Sequence, residues 1–522
     1  MSRPATEYSL GFDLRSLSAS GAGRTAMVRG GREATFGTLS AAADQVAVAL
    51  RQAGVCRGDR IFVLSRSGFE VFALVIGAAQ LGAVTVPANW RMSSAELAAV
   101  LDDCQAKVVF ADPDLRHLLP VARPVVELAP DAGGAGSTAF SQWLGQGGGE
   151  PPILPSRPAD PVLQIYTSGT SGQPKGVQLT NANLAEKVRR MGQQWRFTAS
   201  SRSLLATPLF HIGGLSWGLI GLAARAITYL PDRAGPVDLL RSTVTDRITH
   251  AFLVPKMLAD LTAAAGPGRL PASPVEVIVC GGAPVSAELQ LRAMQTFGCS
   301  VFQVYGMTET TGAIVQLDAT QAAAGPGSSA LLRSCGTPYP WVEVEIHDPR
   351  TLQPLPAEAA GEIWTRSAQN CAGYWNRPAE TADLLADGWL RTGDGGYLDA
   401  DGYLYLTDRI KDMIVSGGEN IYSAEVERAL LAHPSVAEAA VIGLPDEDWG
   451  EIVVAVLVPA AGEQVAAEPI IDHVGQILGR YKRPRRVVVK DALPRNASGK
   501  VLKRQLRAEL GQVADSAKGR KL

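Results

Sequence analysis

Cysteine is scarce and unpatterned in this chain of 522 residues. The six cysteines, Cys56, Cys104, Cys280, Cys299, Cys335 and Cys371, show no Cys-x-x-Cys spacing. That argues against a disulfide framework or a thiolate zinc site, and for reduced thiols in a cytoplasmic protein. Charge imbalance is missing too: 49 Lys and Arg face 51 Asp and Glu, a net charge of −2. Bulk electrostatics give no reason to expect nucleic acid or an anionic membrane as a partner. The opening residues, Met1-Ser2-Arg3-Pro4-Ala5-Thr6-Glu7, hold no apolar run, so no secretory signal is expected. No membrane span is expected either. The apolar stretch 71–88 carries Gly77, Gln80, Gly82 and Pro87, and 209–230 carries His211, Arg225 and four glycines. Both read as buried helix-plus-strand segments.

What is present is apolar mass. Hydrophobic residues make up 46% and charged residues 19%, enough for a large core and more than one domain. From 34 to 130 the pattern alternates: helix 35–53, strand 59–64, helix 69–81, strand 84–86, helix 94–103, strand 107–110. Such alternation predicts a parallel, helix-covered sheet. Residues 131–158, rich in Gly, Pro, Ser and Ala, read as a surface excursion. Alternation resumes with strands at 252–255 and 275–279. A β-rich section follows, with strands at 343–346, 362–365, 396–398 and 403–406. The charged connector 408–412 then leads into a small α+β unit: helix 424–431, strands 436–442 and 453–457, helix 470–478, strand 486–489. The expected fold is α/β, a large N-terminal domain of helix-covered sheets with a β-rich subdomain, plus a small mobile α+β C-terminal domain. The boundaries are 1–408, a hinge at 409–413, and 414–522. Oligomeric state is not readable; a homodimer is compatible.

The most informative run is Tyr166-Thr167-Ser168-Gly169-Thr170-Ser171-Gly172-Gln173-Pro174-Lys175-Gly176, a turn between strands 161–165 and 177–180. Its glycines let backbone approach a ligand closely, its hydroxyls and amides can donate to phosphate oxygens, and Lys175 adds a point charge. Composition alone leaves it equally a Ser/Gly surface loop. It is not a Walker A loop, because Lys175 is followed by Gly176. Downstream come Phe210-His211-Ile212-Gly213-Gly214, Cys280-Gly281-Gly282-Ala283-Pro284, Val304-Tyr305-Gly306-Met307-Thr308-Glu309, Arg391-Thr392-Gly393-Asp394, Asp408-Arg409, Val415-Ser416-Gly417-Gly418 and Ala497-Ser498-Gly499-Lys500. Taken singly, His211 reads sooner as a core histidine, Glu309 equally as a turn carboxylate, and Lys500 as a solvated lysine. The glycines after strand 275–279 stand where open α/β sheets bind ligands.

In this order the motifs resemble those of the ANL superfamily, from about Gly37 to Leu506, and within it the fatty-acid or aryl-acid CoA ligases. The resemblance implies an AMP-forming ligase using ATP, Mg2+ and coenzyme A. Thr167, Ser168, Gly169, Thr170, Ser171, Gly172 and Lys175 would hold the phosphates, with Thr170 and Glu309 near the metal. Gly281, Gly282, Ala283, Tyr305, Gly306, Met307 and Thr308 would border the nucleotide, with Asp394 and Arg409 at the ribose. His211 would stand between acyl pocket and pantetheine tunnel, and Lys500 would reach the carboxylate and α-phosphate. The small domain would turn about Lys411, bringing Gly417 and Gly418 to the tunnel. Val415 is apolar where some relatives carry lysine. His211 stands where amino-acid-activating relatives carry Asp, so no partner for an α-amino group is expected.

The acid should therefore be a hydrophobic monocarboxylate. In 211–224, Gly213, Gly214, Gly218 and Gly221 are expected to open volume between apolar walls of Leu215, Trp217, Leu219 and Ile220, with no Lys or Arg. The basic cluster Arg480, Lys482, Arg483, Arg485 and Arg486 suits CoA phosphates or is a solvated rim. A carrier protein as acceptor, thioester formation alone, or a binding module without catalysis are the competing readings. Intact Lys500, Glu309 and Lys175 argue against the last.

Overall fold

The computed structural model describes residue 10 and residues 14–66, 68–120, 124–128, 137–145, 149–151, 154–168, 174–232, 235–270, 273–324, 328–409, 412, 414–416, 419–421, 423–446, 449–478, 480–495 and 501–518. The chain is a mixed α/β protein of two compact units, 1–343 with 365–390, and 344–364 with 391–522.

The larger unit holds two sheets. One has nine strands in the order Thr337–Pro338, Gly312–Asp318, Ser300–Met307, Val277–Gly281, His250–Leu253, Arg202–Leu204, Ile227–Tyr229, Thr25–Arg29, Arg32–Thr35. The strands from Ser300–Met307 to Thr25–Arg29 are parallel, with antiparallel edges. The other has eight: Gly373–Tyr374, Pro174–Thr180, Pro161–Ser168, Val84–Pro87, Arg60–Leu64, Val108–Ala111, Val125–Glu127, Ser137–Ala139. Arg60–Leu64 and Val84–Pro87 are buried throughout, as strands covered on both faces must be.

Local chemistry sets the helix ends. Thr35 caps Phe36–Gln52 in a reciprocal box with Thr38, and Ser93 caps Ser94–Cys104 with Glu96. Thr180 caps Asn181–Gln194 with Asn183. Each cap is worth about 1 kcal/mol and satisfies amides that the helix cannot.

Three sequence expectations need correction. Residues 137–145 are not a plain surface excursion. Ser137–Ala139 is a strand parallel to Val125–Glu127, and Phe140–Gly145 is a helix. Phe140 and Trp143 are buried there, and the Trp143 ring meets Phe110 edge-on at 5.0 Å. Pro255 does not end a strand but opens the helix Pro255–Ala265, where its missing N–H costs nothing. The connector is in part strand: Leu404–Arg409 pairs with Trp389–Leu398 and places Arg409 opposite Asp394.

In the smaller unit a compact sheet runs Glu419–Ile421, Ile414–Ser416, Gly450–Pro459, Val436–Asp446, with Arg486–Val489 beside Gly450–Pro459. Its alternating side chains feed two cores. Val441, Val453 and Ala455 pack with Val426, Leu430, Ile470 and Val474. Ala440, Ile442, Val454 and Val456 pack with Leu506 and Leu510. Helix Lys503–Lys518 therefore packs on one sheet face through Leu506 and Leu510, although it escapes the sequence pattern. No helix among the described residues is long and apolar enough to cross a membrane.

The core also carries an acid-sensitive group. His250 is fully buried, its ring nitrogens 2.8 Å from Thr249 Oγ1 and 3.0 Å from the Trp195 carbonyl. Burial pushes its pKa down to about 4. Between that value and the ordinary 6.5, the unfolded chain binds a proton that the folded chain refuses. Stability is thus complete above pH 6.5 and falls as pH drops toward 4, by on the order of 3 kcal/mol from this residue. Urea midpoints across that range, wild type against His250→Gln, should show a shallower acid slope in the variant.

Candidate functional site

The hairpin Pro161–Ser168 and Pro174–Thr180 brings Thr167 opposite Lys175 and Ser168 opposite Pro174. Gly169, Thr170, Ser171 and Gly172 lie outside the described residues. From the far edge of the hairpin, Gly373–Tyr374 pairs with Val177–Gln178. This pairing seats the Tyr374 ring 5.0 Å from Lys175 Nζ. Tyr374 then donates through its hydroxyl to Glu309 Oε1 at 2.9 Å. Sequence reasoning missed Tyr374. Its only signal is an aromatic pair, Tyr374-Trp375, in a polar segment.

Glu309 is only 5% exposed. A buried carboxylate is costly unless bonded, so its backbone is firmly held. The Cys371 amide donates to the Glu309 carbonyl at 2.8 Å. Thr310 Oγ1 bonds the Met307 and Gly312 carbonyls at 3.1 and 2.7 Å. Thr311 sits at φ +54 and donates to the Gln369 carbonyl at 2.5 Å. That left-handed, non-glycine conformation is strained, and its bonds hold it in place.

The nucleotide-side candidates end adjacent parallel strands. Gly281 lies opposite Val304, so Gly282 and Ala283 leave one strand beside Tyr305, Gly306, Met307 and Thr308 of the next. Gly282 takes φ +83, which favours glycine. At Gly306 a Cβ would come within 2.0 Å of the Gly312 carbonyl oxygen, at a bulge after Tyr305. Only glycine fits there.

His211 is the N-cap residue of helix Ile212–Ala223. Burial, aided by the nearby Arg91 charge, pushes its pKa down to about 4, so the imidazole is neutral at pH 7. The helix glycines do not open a pocket, contrary to expectation. A Cβ at Gly213 would meet Phe252, at Gly214 the Pro208 and Thr207 carbonyls, at Gly218 Phe72, and at Gly221 Thr228. Their smallness is spent on close packing. Leu215, Trp217, Leu219 and Ile220 are all buried.

Asp394 belongs to the smaller unit, where its amide donates to Thr392 Oγ1 at 3.1 Å and Thr392 in turn donates to the Ile363 carbonyl at 2.7 Å. Arg409 is its cross-strand neighbour. Lys411, Gly417, Gly418 and Lys500 lie outside the described residues. In the basic cluster, Lys482 is taken by Glu425 at 2.7 Å, while Arg485 lies 3.7 Å over the exposed Trp449 ring.

A glycine-lined edge of parallel strands, a hairpin with a lysine at its base and a buried carboxylate tied to both define a nucleotide-using α/β enzyme. The chain belongs to the AMP-binding enzyme family, within the ANL superfamily: that family's model matches residues 15–375, and the model of the AMP-binding enzyme C-terminal domain matches residues 425–500. It is 36% identical to a fatty acid–[acyl-carrier-protein] ligase of Streptomyces coeruleorubidus, over 91% of this chain and 92% of the relative. It is 35% identical to a feruloyl-CoA synthase of an Amycolatopsis species, over 93% and 96%. The o-succinylbenzoate CoA synthetase of Bacillus subtilis, solved with its acyl-adenylate intermediate, superposes with a TM-score of 0.83 at 32% identity, covering 96% of this chain and 98% of that one.

Proposed function

We propose that this protein activates a hydrophobic carboxylic acid with ATP and transfers the acyl group to coenzyme A. The observation that carries the reading is the contact line from Lys175 through Tyr374 to Glu309, which sets a cation and a buried carboxylate at the base of the hairpin.

A carboxylate is a poor acyl donor, because oxide would have to leave. Its oxygen attacks the α-phosphorus of ATP, the bond to the β-phosphate breaks, and pyrophosphate departs. Lys175 and the hairpin amides bind the phosphates that leave, and Lys500 steadies charge at the α-phosphate. Glu309 fits a magnesium ligand: one carboxylate plus phosphate oxygens is the usual set, and a carboxylate that accepts one bond from Tyr374 keeps acceptor capacity. Mg2+, when bound, neutralises charge on the phosphates. In the second step a thiol attacks the acyl carbonyl and AMP leaves. Neutral His211 adds no cation beside the acyl group. We assign that exchange to a C-terminal lid, 414–522, turning on a hinge at 409–413 about Lys411, with Gly417 and Gly418 lining the thiol channel. Gly282, Ala283 and Tyr305 would border adenine, and Asp394 with Arg409 the ribose.

The test is a panel of carboxylic acids with ATP and Mg2+, followed as pyrophosphate release and as thioester, with and without CoA. Acid-dependent release that stays silent for the whole panel would overturn the reading. Tyr374→Phe removes one hydrogen bond to a charged group. It should lower kcat/KM for ATP by about tenfold, mainly through weaker Mg2+ binding, with the fold intact.

A carrier-protein thiol is the second reading. It is favoured by Lys482, which Glu425 already engages and which is thus less disposed to CoA phosphates. Thioester formation on a phosphopantetheinyl carrier but not on CoA would select it. Transfer of a supplied acyl-adenylate without synthesis of one would mark a thioester-forming specialist.

A further inference from the structure

Helix Asn181–Gln194 buries Leu184, Val188 and Met191, and among them Lys187, which is 2% exposed. Buried lysines are rare unless paired. Among the described residues no carboxylate lies within ion-pair distance of Lys187, and its only close partner of note is the Trp195 ring, 5.3 Å from Nζ. The amine abuts Gly312, where a Cβ would stand 2.8 Å from Nζ. Gly312 closes the turn that presents Thr308 and Glu309, so the amine lies directly behind the candidate site. Burial alone pushes its pKa down to about 7.

A second donor is stranded beside it. Trp217, 1% exposed, has an indole N–H with no partner among the described residues, and its ring is 5.4 Å from that of Trp195. Two buried donors thus flank one indole; among the described residues the indole N–H of Trp217 has no acceptor and Lys187 has no carboxylate partner. Each costs free energy when left so, and the deficit on both is of the same kind: an oxygen with lone pairs. His250 cannot supply it, since its nitrogens face Thr249 and the Trp195 carbonyl.

We infer that Lys187 and Trp217 receive an oxygen acceptor at the far end of the acyl substrate. The acid is apolar along its length but bears a hydroxyl, carbonyl or second carboxylate oxygen at its tail. This deepens the acid-activating reading and rests on it. It also revises the uncharged pocket expected from 211–224, because the charge comes from a neighbouring helix.

The experiment uses matched acids: octanoate against its ω-hydroxy and ω-carboxy derivatives, and phenylpropanoate against its para-hydroxy derivative. Binding is measured by calorimetry and adenylation by pyrophosphate release, for the wild type, Lys187→Met and Trp217→Phe. The wild type should favour an oxygenated member over its plain partner by about tenfold or more, since a site built to bond an oxygen rejects the analogue lacking it. Lys187→Met should erase most of that preference, raising KM for the oxygenated acid while leaving kcat for the plain one. Trp217→Phe should reduce it severalfold. The melting temperature of Lys187→Met should stay or rise, because an unpaired buried charge is removed. No preference in the wild type, an unchanged preference in Lys187→Met, or collapse of that variant's fold would overturn the inference. Binding decides even without turnover: acids that bind with the expected preference but are never adenylated would sink the reaction and leave the tail site standing.

Discussion

Lys500→Ala is expected to slow adenylate formation by on the order of 10²–10³, the cost of losing one preorganised charge-stabilising donor. It should largely spare thioester formation from a supplied acyl-adenylate. Gly418→Leu should do the reverse, because its side chain would stand in the channel that pantetheine threads. The expectation follows from the proposed lid, which offers one surface for each half-reaction. The two reactions are measured apart, with acyl-adenylate made chemically for the second. Equal losses in both reactions by both variants would refute the alternation. A wild type that forms no acyl-adenylate from any acid, yet transfers a supplied one, would make Lys500→Ala nearly silent.

Glu309→Gln should lower the adenylation rate by on the order of 10²-fold at limiting Mg2+, since the carboxylate charge is what a hard cation needs. The glutamine oxygen still accepts from Tyr374, so the turn at 307–312 should keep its shape. Raising Mg2+ should recover part of the rate. Thermal midpoints should change little, and a carboxamide in place of a buried charge is easily tolerated. A variant with normal Mg2+ dependence and a slow rate would move Glu309 from cation binding to some other duty.

The regular elements are legible because their signals are local. Leu39, Val46 and Leu50 recur at helical spacing and are buried on one face of Phe36–Gln52. Val84–Pro87 is an apolar run between turns and is buried throughout. The glycines at 281–283 and 306 are legible for the same reason, as each stands at the end of an apolar strand. What escapes is set by distant neighbours. Nothing near Tyr374 announces that it will join a strand at 174–180. Nothing in the sequence singles out Lys187, whose burial is set by Trp195 and Gly312 from elsewhere in the chain. Gly213, Gly214, Gly218 and Gly221 announce small volume but not what fills it. The helix Lys503–Lys518 is masked by its charges, although Leu506 and Leu510, one turn apart, suffice to seat it.

The strand at Gly373–Tyr374 has a bearing on how the chain is made. It is the outer neighbour of Pro174–Thr180, yet it is synthesised long after that strand and after all nine strands of the other large sheet. While the ribosome is still reading the intervening stretch, Pro174–Thr180 presents an unpaired edge, the kind of surface that templates association with other chains. Late, non-local pairing of this sort also slows folding, because the loop must close before the contact rewards it. Translation stalled before residue 373 should therefore leave a nascent protein that holdase chaperones retain, and release should coincide with emergence of Tyr374 from the exit tunnel.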